Sequence, residues 1–397
     1  MIKNCHLIDD KWSAEIVGGR WFALELRRGR GAQRQMRSPT QIAAWQIATL
    51  DIPLQVPFGI SGGAQAMANN VLVTVELADG TCGYGEAAPL PPYNGETQKM
   101  ALAVLRTAQA WLPGRDAAEW RALAAEFSAR GGAGCGSAQC ALEMALLDAV
   151  SKRRGEPLWK FFGGASTTLE TDMTVTTGTV AEAAEAARAI RARGIRQIKV
   201  KVGGAGGPAG DLARVAAIHA AAPDAPLILD GNAGISRAAA SELVRGLKAA
   251  GIAPALLEQW LAKDDLAGAA ALIAESGWRV AADETACTAD DARRIAAAGA
   301  AQVVNIKLMK SGVIAAWELA TAARVAGLGL MIGGNVESML AMSVSACFAT
   351  GIGGFEFADL DTPWFMATNP FDGGFAMTGG MISVAGITAG HGVVPKE

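Results

Sequence analysis

The chain has only three histidines, His6, His219 and His391, in 397 residues. A histidine-built zinc centre, or a nucleophile that depends on histidine, is therefore disfavoured, and other residue types must carry any chemistry. Six cysteines, Cys5, Cys82, Cys135, Cys140, Cys287 and Cys347, form no CxxC pair. Scattered in this way they read as reduced thiols of a cytoplasmic protein and not as a disulfide framework. Charge is scarce: 18% of residues are charged, and 35 Lys+Arg against 38 Asp+Glu leave a net charge of −3. That balance gives no basic field for nucleic acid or for an anionic membrane surface. No apolar run approaches the roughly 18 to 20 uncharged residues of a membrane span. The start, Met1-Ile2-Lys3-Asn4-Cys5, lacks the layout of a secretory signal. Apolar side chain is abundant, at 51%, enough for one large domain and a smaller companion. The expected partner is a small molecule, and the chain is free to act alone or as a homo-oligomer.

Residues 1–45 carry Arg20, Arg27, Arg28, Arg30, Arg34 and Arg37 among Gly and Gln without sustained period, and read as an extension of unclear structure. From 46 to 80 apolar residues alternate, and Val71 to Leu77 run into Asp79-Gly80, a hairpin signal that predicts an antiparallel sheet. Apolar spacing then predicts core-facing amphipathic helices over about 95–128 and 137–152. Together, 46–165 is expected to be an α+β domain. After about residue 168, short β-branched or apolar runs alternate with alanine-rich helical stretches. From Lys201 to Asp359 their ends recur every 24–29 residues. Eight such strands predict an α/β fold of the (β/α)8, TIM-type barrel class over 166–362. The Gly-rich tail, 363–397, is expected to return to the first block.

Nearly every predicted barrel strand ends in an ionisable residue, and in such a barrel these ends converge on one face. Asp230, Glu258 and Asp283 end the third to fifth strands. Any one of them alone reads as a helix N-cap. Three carboxylates on adjacent strands, however, would repel one another unless neutralised, and such oxygen ligands suit Mg2+ or Mn2+. Lys201 ends strand two and Lys307 strand six, four strands apart in a ring of eight, which puts one base on each face of a substrate held at the metal. Lys199, two residues before Lys201 on the same strand face, eases deprotonation of its neighbour. Lys310 reads as a surface lysine in a salt bridge. Two opposed bases beside a metal suit removal and return of a proton next to a carboxylate, the chemistry of a racemase or epimerase. Asp359 and Asp361, at i and i+2 at the end of strand eight, form an anionic clamp for a cation such as a free amino terminus.

With those residues in place, the chain resembles the enolase superfamily, muconate-lactonizing subgroup, and most of all its dipeptide epimerases, over about residues 46–385. The carriers are Lys199-Val200-Lys201, Asp230-Gly231-Asn232, Glu258-Gln259, Asp283-Glu284, the stretch Asn305 to Gly312, and Asp359-Leu360-Asp361. The resemblance implies a capping domain at the amino-terminal block, with Gly83-Tyr84-Gly85-Glu86 and Ala141 to Asp148 as signatures. It also implies Mg2+ on Asp230, Glu258 and Asp283, with Lys201 and Lys307 as bases and Lys199 beside them. Thr174, Lys199, Gly334, Val336, Asp359 and Asp361 would contact a dipeptide. Cycloisomerase, o-succinylbenzoate synthase and N-acylamino acid racemase activities of the same subgroup remain open as alternatives. Two departures stand out. Trp260 follows Glu258-Gln259 where a proline is usual. No arginine occurs in Phe58 to Gly63, where members acting on Ala-Glu place one.

Overall fold

The computed structural model describes residues 38–60 and 63–396. The expected extension therefore lies outside the described residues up to position 37, as do Ser61 and Gly62 of the segment without arginine. Three antiparallel strands, β1 (Ile42–Ile60), β2 (Gly63–Leu77) and β3 (Cys82–Ala87), form a meander. The β2–β3 turn uses the Asp-Gly signal: Asp79 accepts from the Thr81 amide at 3.0 Å, and Gly80 takes φ +86°, a left-handed angle that glycine adopts without strain. Four helices follow, α1 (Pro91–Asn94), α2 (Gln98–Ala108), α3 (Trp120–Ala129) and α4 (Gly136–Arg154).

Helix α4 departs from the amphipathic expectation, since every residue from Gly136 to Ser151 is buried. It is sandwiched between the sheet and the barrel segment Leu308–Lys310, so it presents no face to water. Gly83 and Gly85 of β3 permit this approach, because a Cβ on either would overlap the carbonyl oxygens of Ala145 and Ala141.

A short helix α5 (Leu158–Phe161) and strand β4 (Thr168–Glu170) lead into the barrel. Its strands are β5 (Met173–Val175), β6 (Ile198–Lys201), β7 (Leu227–Asp230), β8 (Leu256–Glu258), β9 (Val280–Ala282), β10 (Val303–Ile306), β11 (Gly329–Ile332) and β12 (Phe355–Ala358), all parallel and paired in that order. Between them run α6 (Val180–Ala192), α7 (Gly207–Ala221), α8 (Arg237–Ala249), α9 (Leu266–Ser276), α10 (Ala289–Ala298), α11 (Val313–Val325) and α12 (Met339–Ile352). The eighth strand is followed by a 3₁₀ turn, Thr362–Phe365, in place of a helix. Last and first strands meet through the Asp172 amide, which donates to the Ala358 carbonyl at 2.9 Å, and the Thr174 amide, which donates to Asp361 at 2.6 Å.

In the tail, β13 (Phe371–Gly373) pairs with β16 (Val393–Pro395), while β14 (Ala376–Thr378) and β15 (Met381–Ser383) extend a small sheet with β4. His391 anchors the tail on α4, its amide donating to Asp148 at 3.0 Å. The cap is also bonded to the barrel. Glu86 accepts from the Ser338 and Ala341 amides at the start of α12, and Asn70 donates to the Val336 carbonyl at 2.9 Å. Further along the cap, the Ala367 amide donates to the Pro53 carbonyl at 2.8 Å. The five cysteines among the described residues are unpaired. No helix there is long and apolar enough to cross a membrane.

Candidate active site

The barrel interior is layered. Ile228, Leu256, Ala281, Val303 and Met331, with Phe357, form an apolar plug. Side chains alternate along a strand, so the positions two residues further on face inward again, now at the strand C-termini: Asp230, Glu258, Asp283, Asn305, Gly333 and Asp359. The same period brings Lys199 and Lys201 inward from β6.

Lys199 is fully buried, its Nζ 2.6 Å from Asp359 Oδ2, 2.8 Å from Glu258 Oε2 and 2.9 Å from Asp230 Oδ2. Against the cost of burial, Asp230, Asp359 and Glu258 hold its ammonium charged well above the usual lysine range. Lys201 Nζ shares the same Asp230 oxygen at 2.6 Å and donates to Asn232 at 3.1 Å. Lys307 Nζ lies 2.7 Å from Asp283 Oδ2 and 4.6 Å from the Tyr93 ring. The two expected bases thus grip opposite ends of the Asp230–Glu258–Asp283 row. Lys310 differs from its expected surface position. Its side chain is 2% exposed and donates to the carbonyls of Asp283 and Asn305, because the 3₁₀ turn after Lys307 folds it back under the barrel rim.

The three carboxylates differ electrostatically. Against burial, Lys199, Lys201 and Lys307 hold Asp230 well below the usual range, and Lys307 and Lys310 lower Asp283. Burial and Asp230 push Glu258, the middle member, up to about 7. Neighbouring groups fix their orientation. Asn305 donates to Glu258 Oε1 at 2.8 Å, Gln259 accepts from the Asp283 amide at 2.8 Å, and Tyr93 donates to Asp283 Oδ1 at 3.1 Å. Non-glycine residues with left-handed φ among those described are Asn232, Ala233 and Gln259, all just beyond Asp230 or Glu258. Backbone strain is thus concentrated beside these two carboxylates. Trp260 ties the two strands by donating to the Leu229 carbonyl at 2.8 Å.

By donor chemistry this trio suits a hard divalent cation, although among the described residues the carboxylates whose oxygens lie within 4.8 Å of one another are Asp172, Asp359 and Asp361. The trio's carboxylates are fully buried, and Glu258 Oε2 and Asp283 Oδ2 have lysine ion pairs but no aligned hydrogen bond. Beside it a cavity of about 390 Å³ opens between Tyr93 and Asn94 of the cap and Asn232, Lys263, Glu284 and Cys287 of the barrel. Burial and Asp283 push Glu284 up to about 8.

Asp359 and Asp361 sit in a second acidic group with Asp172, one oxygen of each lying within 4.8 Å of the others. Asp361 Oδ2 accepts from the Thr174 amide, while Asp361 Oδ1 and Thr174 Oγ1 are buried without a hydrogen bond. Burial and Asp359 raise Asp361 to about 7 and Asp172 well above the usual carboxylate range. Gly334 leaves room for Glu337 and Met342, which a Cβ would contact. Val336 instead turns into an apolar cluster with Ile52, Ala68, Leu90 and Met366, where cap meets barrel.

Sequence reasoning passed over Asp172, Tyr93 and Glu337 as site residues. Asp172 carried a signal, lying two residues before Thr174 and so on its face. Tyr93, one of two tyrosines in the chain, lies on a four-residue helix of the cap and has no periodic tie to the barrel.

Comparison with known proteins gives consistent matches. Residues 42–163 match the mandelate racemase/muconate lactonizing enzyme N-terminal domain, and 181–397 the enolase C-terminal domain-like family. An aromatic dipeptide epimerase of Herpetosiphon aurantiacus is 52% identical over 89% of this chain and 99% of its own. The crystal structure of a mandelate racemase/muconate lactonizing protein from that organism superposes with a TM-score of 0.87 at 52% identity, over 91% of this chain and 100% of the other. A dipeptide epimerase from Enterococcus faecalis, complexed with Mg and L-Leu-L-Tyr, gives a TM-score of 0.84 at 27% identity, over 89% of this chain and 99% of that one.

Proposed function

Because the chain belongs to the mandelate racemase/muconate lactonizing enzyme family of the enolase superfamily, we propose that its site inverts the α-carbon of the C-terminal residue of a dipeptide, by proton transfer between Lys201 and Lys307. The observation that carries this reading is the pairing of the two lysines with opposite ends of one carboxylate row, Lys201 on Asp230 and Lys307 on Asp283.

Asp230, Glu258 and Asp283 would hold Mg2+, or Mn2+ in its place. The ion, when bound, supplies positive charge to the substrate carboxylate as the α-carbon becomes acidic. One lysine takes the α-proton from one face, and the other, protonated, returns a proton to the opposite face, which inverts the centre. Lys199, charged and buried against Asp230 and Asp359, is a fixed cation beside the metal site. Asp359 and Asp361 receive the ammonium of the substrate's first residue.

Apolar or aromatic dipeptides are the preferred substrates. A relative of 52% identity is named for aromatic dipeptides, and the E. faecalis neighbour was crystallised with L-Leu-L-Tyr. In this chain Val336, Ile52, Leu90 and Met366, with Leu54, Tyr93 and Phe365, make an apolar wall at the cap–barrel junction, and Phe58 to Gly63 offers no arginine for an acidic side chain.

The test is incubation with Mg2+ and pooled L,L-dipeptides in D2O, read by mass spectrometry. A one-dalton gain confined to pools with apolar or aromatic second residues is expected. Exchange in N-acylamino acids alone, or in no substrate, would overturn the reading.

A further inference from the structure

We infer that Asp172 is a third carboxylate of the ammonium pocket, the one that makes the pocket select a primary amine. The inference rests on the dipeptide reading above and deepens it. Asp172 precedes β5 and is fully buried. Its backbone amide is used in closing the barrel on Ala358, yet neither side-chain oxygen accepts a hydrogen bond. Buried carboxylates are ordinarily paired, because desolvation without a partner is costly. The unpaired atoms here are neighbours. Asp361 Oδ1 and Thr174 Oγ1 are likewise buried and unpartnered, and Asp359 completes the group.

Lys199 answers this carboxyl group only in part: its charge acts on Asp172 and Asp361 from a distance, but its single ammonium is ion-paired with Asp359, Asp230 and Glu258. The group that fits is a cation with several N–H donors. An alkylammonium has three, and a clamp of Asp359 and Asp361 alone leaves the third donor dry. Three oxygens around one ammonium nitrogen, at ~2.8 Å and tetrahedral angles, stand about 4.6 Å apart, and one oxygen from each of these three carboxylates lies within 4.8 Å of the other two. Each donor then has its own carboxylate. A secondary amine, with one donor fewer, leaves a buried carboxylate unpaired, and an N-acyl group brings no positive charge at all.

The experiment compares wild type with Asp172→Asn, both loaded with Mg2+, on L-alanyl-L-phenylalanine and on the same dipeptide methylated at its amino terminus. Binding is measured by calorimetry and turnover by polarimetry, with Mg2+ content by elemental analysis. In wild type, N-methylation is expected to weaken binding about 10- to 100-fold. Asp172→Asn should raise KM for the free dipeptide by a similar factor, leave kcat within about threefold and shrink the N-methyl penalty to a few-fold. General damage to the fold would lower kcat and leave that penalty intact, and the wild-type comparison needs no variant to fold. Unchanged KM and an unchanged penalty in Asp172→Asn would overturn the assignment, as would wild type that binds both dipeptides equally. A loss of bound Mg2+ in the variant, with KM unaltered, would make the group a metal site and overturn it too. Wild type that binds dipeptide but never epimerises it would sink the catalytic reading alone, whereas wild type that binds neither dipeptide would sink both.

Discussion

Tyr93 of the cap donates its phenol to Asp283 of the barrel at 3.1 Å, bridging 190 positions of sequence. The same ring lies over the Lys307 ammonium, so one cap residue touches both a candidate metal ligand and a candidate base. Tyr93→Phe keeps the ring and removes the hydrogen bond. A hydrogen bond to a charged partner is worth about 1.5–3 kcal/mol, so kcat/KM should fall about 10- to 100-fold. Tyr93→Ala should fall further, because the cation–π contact goes as well. Steady-state rates for the two variants decide the matter, and Tyr93→Phe at full activity would remove Tyr93 from the site.

Lys307→Met should abolish epimerisation, a loss of at least ~10²–10⁴. Asp283 keeps Lys310 as a partner in this variant, so the fold should survive. With Lys201 intact, the isomer whose α-proton faces Lys201 should still exchange in D2O, and its epimer should not. Exchange of both isomers at wild-type rates would exclude the two-base scheme.

Glu337 links protonation to stability. Its Oε1 accepts from the Asn335 amide at 2.7 Å, Oε2 has no hydrogen-bond partner, and burial with Glu86 nearby pushes the carboxyl up to about 8 from the usual 4.5. Below about pH 4.5 folded and unfolded chains are both protonated there and the shift has no effect. Between about 4.5 and 8 the unfolded chain ionises first, so stability declines as pH rises, by a few kcal/mol at most. Glu337→Gln should match wild type in urea midpoint at pH 5 and exceed it at pH 8.5. Parallel pH curves for the two proteins would refute this.

Gly85→Ala tests the closeness of cap sheet and helix. The added Cβ meets the Ala141 carbonyl, so α4 must shift, at about 3 kcal/mol. Gly80→Ala, at an open left-handed turn, should cost only about 1–2 kcal/mol. Thermal midpoints that fell equally would mean that α4 yields more readily than its burial implies.

Much of this architecture is legible in the sequence because parallel barrel strands are short apolar runs, and their spacing of one βα unit survives any loop variation. Asp230, Glu258 and Asp283 stand out where a core strand would have no reason to end in charge. Tyr93 is not legible in that way, since its placement depends on how one domain docks on another, which no local period encodes. Lys310 misleads for a related reason. Three residues beyond a strand end it has the look of a solvated lysine, and only the turn at Leu308–Lys310 buries it. Helix α4 carries mainly small and apolar residues on every face, and a one-sided pattern cannot be told from an all-round one until its second neighbour is known.

The hydrogen bonds that run from Asn70 and Glu86 to Val336, Ser338 and Ala341, and from Pro53 to Ala367, make the two domains poor candidates for module exchange. A cap grafted from a relative of different substrate preference would bring its own β1–β2 tip. It would then have to satisfy the start of α12 and the Ala367 amide beyond the Thr362–Phe365 turn with the barrel's existing backbone. On the substrate reading proposed above, selectivity is therefore better altered at single side chains of the apolar wall, such as Leu54 or Phe365, than by recombination of whole domains.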